Sequence, residues 1–311
     1  MKVGSLFSGI GGIDLGFKQA GFEIAWANDI DSDACKTYRY NFPNATLIED
    51  DIRNINPDGL SDIDVLVAGF PCQPFSIMGY QKGFRDSRGN LFFEIIRFIE
   101  AKMPRVVLLE NVKNLMVHDN GKTFLVIYNA LAQLGYSVRY KAINATDVNI
   151  PQNRARIFIV AFRNVNDCDH FCFPESIPLK TTIDDIIDRT IKHDDCYYYD
   201  SESRYFKTLN TRIVDKTGIY RIDDGGVATR KWNICPTLKA NMGTYPDRVP
   251  IIRDGFGIRK LTLAECLVFQ GFPKGYSFKG ISLESAYKQC GNTVCIPIIR
   301  RIAEKLACMN K

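Results

Sequence analysis

Val3-Gly4-Ser5-Leu6-Phe7-Ser8-Gly9-Ile10-Gly11-Gly12-Ile13-Asp14-Leu15-Gly16-Phe17 passes from a short apolar run, through a cluster of glycines, into residues at helical spacing. Val3 to Phe7 reads as a buried strand, Gly9, Gly11 and Gly12 as a tight turn, and Ile13, Leu15, Phe17 and Ala20 as one side of a helix that stops at Gly21. Glycines between a strand and a helix let the backbone approach a ligand closely. A dinucleotide-binding turn spaces them G-x-G-x-x-G, which is not the spacing here. Asp14 also lies just inside the helix, where a pyrophosphate would meet a negative charge. The turn therefore favours a nucleoside without phosphates, and by itself it leaves a plain structural turn as an equal alternative.

Outward from that unit, Phe22 to Ala27 forms a second strand ending at Asn28 and Asp29, with Asp31 or Ser32 as the cap of the next helix. Val65 to Ala68 and Val106 to Leu109 are further strands, and Leu91 to Ala101 and Lys122 to Leu134 are helices, the latter stopped by Gly135. Tyr136 to Ile143 and Ile157 to Phe162 complete the sheet as an antiparallel pair. This alternation predicts an α/β fold, a mostly parallel sheet with helices on both faces. After about Arg163 the pattern weakens and turn residues become dense, which predicts a smaller, loop-rich domain. Helical period resumes at Thr262 to Gln270, and Thr293 to Leu306 closes the chain as an apolar helix packed on the first domain. The expected division is 1–163, 164–270 and 271–311.

The chain has 311 residues, more than one hydrophobic core usually organises, and its 46% hydrophobic and 24% charged residues are ordinary globular values. Met1 and Lys2 lead straight into an apolar run without a signal peptide's cleavage pattern, and no eighteen apolar residues run together, so secretion and membrane spanning are disfavoured and a cytoplasmic protein is expected. The ten cysteines include no pair at the two-residue spacing of zinc ribbons, so reduced thiols and no metal are expected. The net charge of +5 is too small to prove a nucleic-acid partner. Residues 201–260, however, hold twelve Lys and Arg against six Asp and Glu. A basic surface for nucleic acid and an ordinary solvated face both fit that excess.

The strand Val65 to Ala68 runs into Gly69-Phe70-Pro71-Cys72-Gln73-Pro74-Phe75-Ser76, which puts Cys72 at the carboxyl end of a central strand, the functional edge of an open α/β sheet. Two flanking prolines stiffen the backbone, as suits a nucleophile whose angle of attack must be fixed. A buried core thiol is the alternative. The next strand ends in Glu110-Asn111-Val112, and Gln152-Asn153-Arg154-Ala155-Arg156 precedes a later one. A thiol, a carboxyl and two guanidinium groups are thus expected to converge on one pocket. Asp29 is placed to bind ribose hydroxyls, and Asp51 to accept a hydrogen bond from an adenine amino group.

These four segments, in this order, resemble the motifs of the bacterial-type cytosine-C5 DNA methyltransferases. Arg259-Lys260-Leu261-Thr262 with Glu265, Gln270 and Gly271 resembles the family's motif supporting the recognition domain, and Gly291-Asn292-Thr293-Val294 its last motif. One departure is Val268, where the family commonly has an arginine three residues after the glutamate. That bears on domain packing and not on chemistry.

The resemblance implies a Rossmann-like S-adenosylmethionine-dependent methyltransferase sheet and a small target-recognition domain. It implies Cys72 as the nucleophile toward cytosine carbon 6, with Glu110, Arg154 and Arg156 holding the ring. For S-adenosylmethionine and its product S-adenosylhomocysteine it implies Phe7, Ile10 and Gly12 near the methionine portion and adenosine. It puts Asp29 and Ile30 at the ribose and Asp51 and Ile52 at adenine, with Pro71, Leu91, Asn292 and Thr293 completing the pocket. The partner would be double-stranded DNA bound by a monomer. Gln73, Ser76 and Met78 would contact it beside the nucleophile, as would Lys82, Arg85 and Arg88 in a loop, Gln81 to Gly89, that closes over the duplex. Trp232 to Tyr245 resembles the Thr-Leu recognition region, giving Thr237, Lys239, Asn241, Thr244, Tyr245 and Arg248 as further DNA contacts. A restriction-modification role beside an independently acting endonuclease is implied as well; an orphan enzyme would carry the same residues. Alternatives are a tRNA cytosine-C5 methyltransferase using the same pocket and a catalytically silent DNA-binding protein. A nicotinamide oxidoreductase is disfavoured by the glycine spacing and Asp14.

Overall fold

A computed structural model describes residues 1–71, 91–222, 233–244 and 247–309. In chain order they form β1 (Lys2–Leu6), α1 (Gly12–Gln19), β2 (Glu23–Asp29), α2 (Ser32–Asn41), β3 (Leu47–Glu49), β4 (Val65–Gly69), α3 (Leu91–Lys102), β5 (Val106–Val112), α4 (Lys122–Gln133), β6 (Ser137–Asn144), β7 (Ala155–Phe162), α5 (Val165–His170), α6 (Phe206–Arg212), β8 (Ile251–Arg253), β9 (Ile258–Lys260), α7 (Leu263–Val268), α8 (Leu283–Asn292) and α9 (Ile296–Cys308). Two compact units emerge. The first holds residues 1–143, 155–175 and 296–311, and the second 144–154 and 176–295. These breaks differ from the expected ones: residues 144–154 and 271–295 both belong to the second unit.

The first unit is built on a sheet of order β3-β2-β1-β4-β5-β7-β6. β1 pairs in parallel with β2 on one side and β4 on the other, so the chain reverses its direction of sheet growth between β1 and β4. That switch point opens a crevice at the carboxyl ends of the strands, where α/β proteins bind ligands. β5 continues the parallel set, and β7 then runs antiparallel to it. The central strands are continuous apolar runs because both faces are covered: Val3, Leu6, Val65 to Ala68 and Val107 to Leu109 are fully buried. α9 packs on α1 at Gly16, where an added Cβ would come within 2.6 Å of the Ile299 side chain.

The second unit contains the β8–β9 hairpin and α7 and α8. Its charged centre is Arg259, wholly buried, whose guanidinium bonds Asp254 Oδ2 at 2.8 Å and both oxygens of Glu265 at 2.7 Å. Glu265 also completes a capping box with Thr262 at the start of α7. An ion pair this deep is tolerated only because every partner is met, since its desolvation is costly. The Arg259–Glu265 bridge ties α7 to β9 without help from the position occupied by Val268.

Candidate active site and cofactor turn

Glu110 sits on β5 level with Gly69 of β4 and with Phe158 of β7, while Val112 is level with Arg156. Glu110 and Arg156 are therefore diagonal neighbours across an antiparallel pair, within reach of long side chains. Arg156 Nε lies 3.2 Å from Glu110 Oε1, and both groups are largely buried. Burial pulls the Arg156 pKa down from its ordinary value, and the Glu110 charge acts in the opposite direction. The other carboxyl oxygen turns toward β4: a Cβ built on Gly69 would lie 3.5 Å from Glu110 Oε2. Gly69 stands three residues before Cys72 in the chain. Asn111 fixes the segment between them, its Nδ2 donating to the Phe70 carbonyl at 3.0 Å. Cys72 itself lies outside the described residues, as do Gln73, Ser76, Met78, Lys82, Arg85, Arg88 and the Gln81 to Gly89 loop.

The two arginines of the Q-x-R-x-R segment have different surroundings. Arg154 is 1% exposed, and its guanidinium donates to the carbonyls of Leu238 at 2.8 Å, Gly291 at 3.1 Å and Thr293, all in the second unit. A guanidinium engaged with three main-chain oxygens positions the segment that carries it, and ring binding by Arg154 stays an expectation from the sequence. Gln152, fully buried, does the same, its Nε2 donating to Phe269 O at 2.6 Å and its Oε1 accepting from Leu238 N at 3.2 Å. We expect Arg154→Met to cost about 3 kcal/mol, since unsatisfied buried carbonyls lose roughly 1–3 kcal/mol each, read as a lower urea midpoint. A fall in turnover at an unchanged midpoint would return Arg154 to the chemistry.

At the glycine turn, Phe7, Gly9 and Gly11 have φ of 54°, 53° and 79°. The two glycines adopt this left-handed region at no cost, whereas Phe7 is strained there. The turn is held by Ser8 N donating to Asn28 O at 2.9 Å and by Gly9 N donating to Asp29 Oδ2 at 2.7 Å. The other Asp29 oxygen accepts from Asp31 N, and Asp31 caps α2, so one carboxylate joins the turn to the next helix. Burial raises the Asp29 pKa above its usual value. Asn28, read in the sequence only as the end of a strand, donates to the carbonyls of Ile48 and Asp50 and so fixes the segment that leads to Asp51. Arg97 of α3 secures the far side through the carbonyls of Ile52 and Ile55.

The other expected cofactor residues are placed less uniformly. Ile10 and Gly12 are buried in the turn, and Ile30 is 63% exposed beyond β2. Ile52 belongs to a hydrophobic core cluster of the first unit, and Leu91, partly buried, packs against that cluster. Pro71 is exposed. The Asp51 carboxylate is engaged by Arg53, whose Nε donates at 2.9 Å, and this pairing holds its pKa down at about 2. Asn292 and Thr293 end α8 in the second unit, exposed and buried respectively.

Of the expected DNA contacts, Lys239 is exposed and Asn241 and Arg248 are half-buried. The hydroxyls of Thr237 and Thr244 donate to the carbonyls of Asn153 and Asn241, and Tyr245 lies outside the described residues. Among the described residues no group of three His, Cys, Asp or Glu is arranged to hold a metal, and no helix is long and apolar enough to cross a membrane.

A switch point with an acidic glycine turn at β1 and a buried carboxylate–guanidinium pair beside the end of β4 is the arrangement of an α/β domain that binds a ligand at the carboxyl edge of its sheet. Comparison with known proteins gives its kind. Over residues 1–308 the chain matches, and belongs to, the C-5 cytosine-specific DNA methylase family. It is 49% identical over 310 residues to the type II methyltransferase M.Bsp6I of Bacillus sp. strain RFL6, covering 98% of each chain. It is 38% identical to the type II methyltransferase M.HhaI of Haemophilus parahaemolyticus, covering 96% of this chain and 91% of that one. Among solved structures its fold is similar to that of S. pombe Dnmt2, with a TM-score of 0.75, 18% identity and full coverage of both chains. A putative DNA modification methyltransferase from an E. coli prophage gives a TM-score of 0.71 at 21% identity, also over both full chains. The family resemblance and the Rossmann-like fold expected from the sequence both hold, and with them a DNA cytosine-5 methyltransferase that uses S-adenosylmethionine.

Proposed function

We propose that the protein methylates carbon 5 of one cytosine flipped out of a specific duplex sequence, through a covalent adduct with Cys72. The observation that carries this is the Glu110–Arg156 pair at 3.2 Å, set beside Gly69, three residues before the thiol. Carbon 5 of cytosine is a weak nucleophile, so the ring must be activated first. The Cys72 thiolate adds to carbon 6, and the electron pair of the 5,6 double bond becomes available at carbon 5. Glu110, through the oxygen turned to Gly69, shares a proton with ring nitrogen 3 and accepts from the exocyclic amine, offsetting the charge that develops on addition. Arg156 fixes Glu110 and offers its remaining donors to the carbonyl at position 2. Once carbon 5 carries the methyl, its hydrogen leaves as a proton and the thiolate departs as the double bond re-forms.

The donor site fits a cationic nucleoside. Glycines with positive φ allow close approach, and Asp14, Asp29 and Asp31 give the turn a negative character suited to a sulfonium and opposed to a pyrophosphate. When bound, S-adenosylmethionine supplies the electrophilic methyl group and leaves as S-adenosylhomocysteine, with no metal. Phe7 and Gly9 shape the turn against it, and Asp29 takes the ribose.

Extruding the base costs a few kcal/mol of stacking and pairing, which contacts from the second unit offset. Lys239, exposed, and Arg248, half-buried, are the cationic candidates there for phosphate or base edges. The type II names of the relatives favour a restriction-modification role beside an independent endonuclease. The test is transfer of labelled methyl from S-adenosylmethionine to unmethylated duplex DNA and to tRNA in parallel. Label recovered as 5-methylcytosine from DNA is expected; label in tRNA alone would keep the chemistry and overturn the substrate.

A further inference from the structure

The basic excess of residues 201–260 is only partly absorbed by the function proposed above, and the structure sorts it. Arg259 is engaged in its buried ion pair with Asp254 and Glu265, and Lys260 pairs with Asp247 at 3.1 Å. Arg253 of β8 pins the end of α6, its Nε donating to Ile213 O at 2.5 Å and its Nη2 to Asn210 Oδ1 at 2.6 Å. Lys239 and Arg248 are the candidates named above, Arg221 is half-buried, and Arg230 and Lys231 lie outside the described residues. What remains is concentrated: residues 204–216 hold four basic residues, Arg204, Lys207, Arg212 and Lys216, against one acidic residue, Asp215.

The packing of α6 decides which way these charges face. Leu209 and Ile213, four residues apart, are fully buried in a cluster with Tyr220, Ile222, Ile251 and Ile258. That side of the helix meets the β8–β9 hairpin, so positions 207, 208, 211 and 212 turn outward. All four basic residues are exposed, Arg204 with its guanidinium 5.9 Å over the Tyr205 ring. Among the described residues neither Lys207 nor Lys216 has an ion-pair partner. The Asp215 carboxylate is turned to its own loop, where Oδ1 accepts from Thr217 N and Thr217 Oγ1, both at 2.7 Å. Asp200, ahead of α6, likewise accepts from the main-chain N–H groups of Glu202 and Ser203. Like charges gathered without interspersed acids repel one another, and a polyanion reverses the sign of that energy.

The stretch is also continuous with the recognition region. Tyr220, four residues after Lys216, is bridged to Ile251, three residues after Arg248, by main-chain bonds of 2.7 Å in both directions. The basic stretch and the end of the recognition region therefore share one core.

We propose that the outer side of α6, with Lys207 and Lys216 as its principal charges and Arg204 and Arg212 beside them, is a sequence-independent binding surface for the phosphate backbone of the duplex alongside the recognised bases. The inference rests on duplex DNA being the substrate, as read above, and adds to it a surface that reads no base edge. It supplies affinity for DNA and leaves the choice of sequence and the chemistry to other residues.

The test is equilibrium binding of the full chain to a duplex that the wild type methylates and to a scrambled duplex of the same length, from about 50 to about 200 mM salt. Each phosphate neutralised adds about 0.9 to the slope of log affinity against log salt, so Lys207→Gln/Lys216→Gln is expected to reduce the slope by about 1.8 on both duplexes. Across that range the wild-type affinity then falls about tenfold more than the variant's. The ratio of affinities for the two duplexes, and kcat at saturating DNA, are expected to keep their wild-type values. Lys207→Glu/Lys216→Glu is expected to bind more weakly still at the low-salt end. An unchanged slope in both variants would overturn the proposal while leaving the substrate intact, and so would a loss confined to the methylated duplex, which is the mark of base reading. A wild type that methylates tRNA and no duplex would overturn the substrate reading itself.

Discussion

Cys72→Ala is expected to reduce methyl transfer to duplex DNA by at least about 10⁴-fold, because without the thiolate carbon 5 is never made nucleophilic. The substitution removes one sulfur atom, so binding of S-adenosylmethionine and DNA should survive and the loss should fall on kcat. Single-turnover methylation with cofactor and DNA both saturating gives the number directly. Retention of transfer within tenfold of wild type would mean that the ring is activated by another group.

The second large effect is expected at Glu110. Glu110→Gln preserves the outline of the side chain but can neither give a proton to ring nitrogen 3 nor balance the Arg156 charge. A loss of about 10²–10³ in kcat is expected for removal of a group that offsets developing charge. Arg156, 3.2 Å away and largely buried, would also be left without its counter-charge, which costs about 3–5 kcal/mol when a buried pair is broken from one side. The two effects separate by experiment: urea unfolding reads the second, and turnover of the folded fraction reads the first. If stability falls and turnover of the folded fraction does not, Glu110 serves the fold and the ring is held elsewhere.

The central sheet was legible because its strands are buried on both faces, so that Val65 to Ala68 and Val106 to Leu109 appear as unbroken apolar runs, and Val3 to Leu6 as a short one interrupted by Gly4 and the buried Ser5. β5 nevertheless extends through Glu110 and Asn111 to Val112, beyond the apolar run, because these polar side chains find partners in Arg156 and Phe70. β3 went unread: Leu47–Glu49 is three residues at the edge of the sheet and too short for any periodicity to show. α8 was missed for a different reason. It buries Gln289 and Gly291 alongside Ala286, Tyr287 and Cys290, so polarity does not track its inner face. The last helix was expected from Thr293 and begins at Ile296, since Thr293 ends α8.

The candidate site was legible as residue types in order, and less so as roles. Arg154 and Arg156 are two residues apart, which on a strand would set them on one side. β7 begins only at Ala155, however, so the alternation does not reach Arg154, which turns to carbonyls of the second unit while Arg156 meets Glu110. The assignment of residues 144–154 to the second unit rests on Gln152 and Arg154 bonding to residues more than eighty positions away, which no local pattern can reveal. The bracing roles of Asn28 and Arg97 escaped notice likewise, because each acts through main-chain carbonyls distant in sequence.

The covalent step is the claim on which the rest depends, and it can be caught directly. Duplex DNA carrying 5-fluorocytosine at the target position, incubated with the full chain and S-adenosylmethionine, offers a carbon 5 whose fluorine cannot leave as a proton. The account predicts a stable protein–DNA adduct, seen as a single added mass and mapped by peptide digestion to Cys72. No adduct at a site where the unsubstituted cytosine is methylated, or an adduct mapped to any other residue, would contradict it.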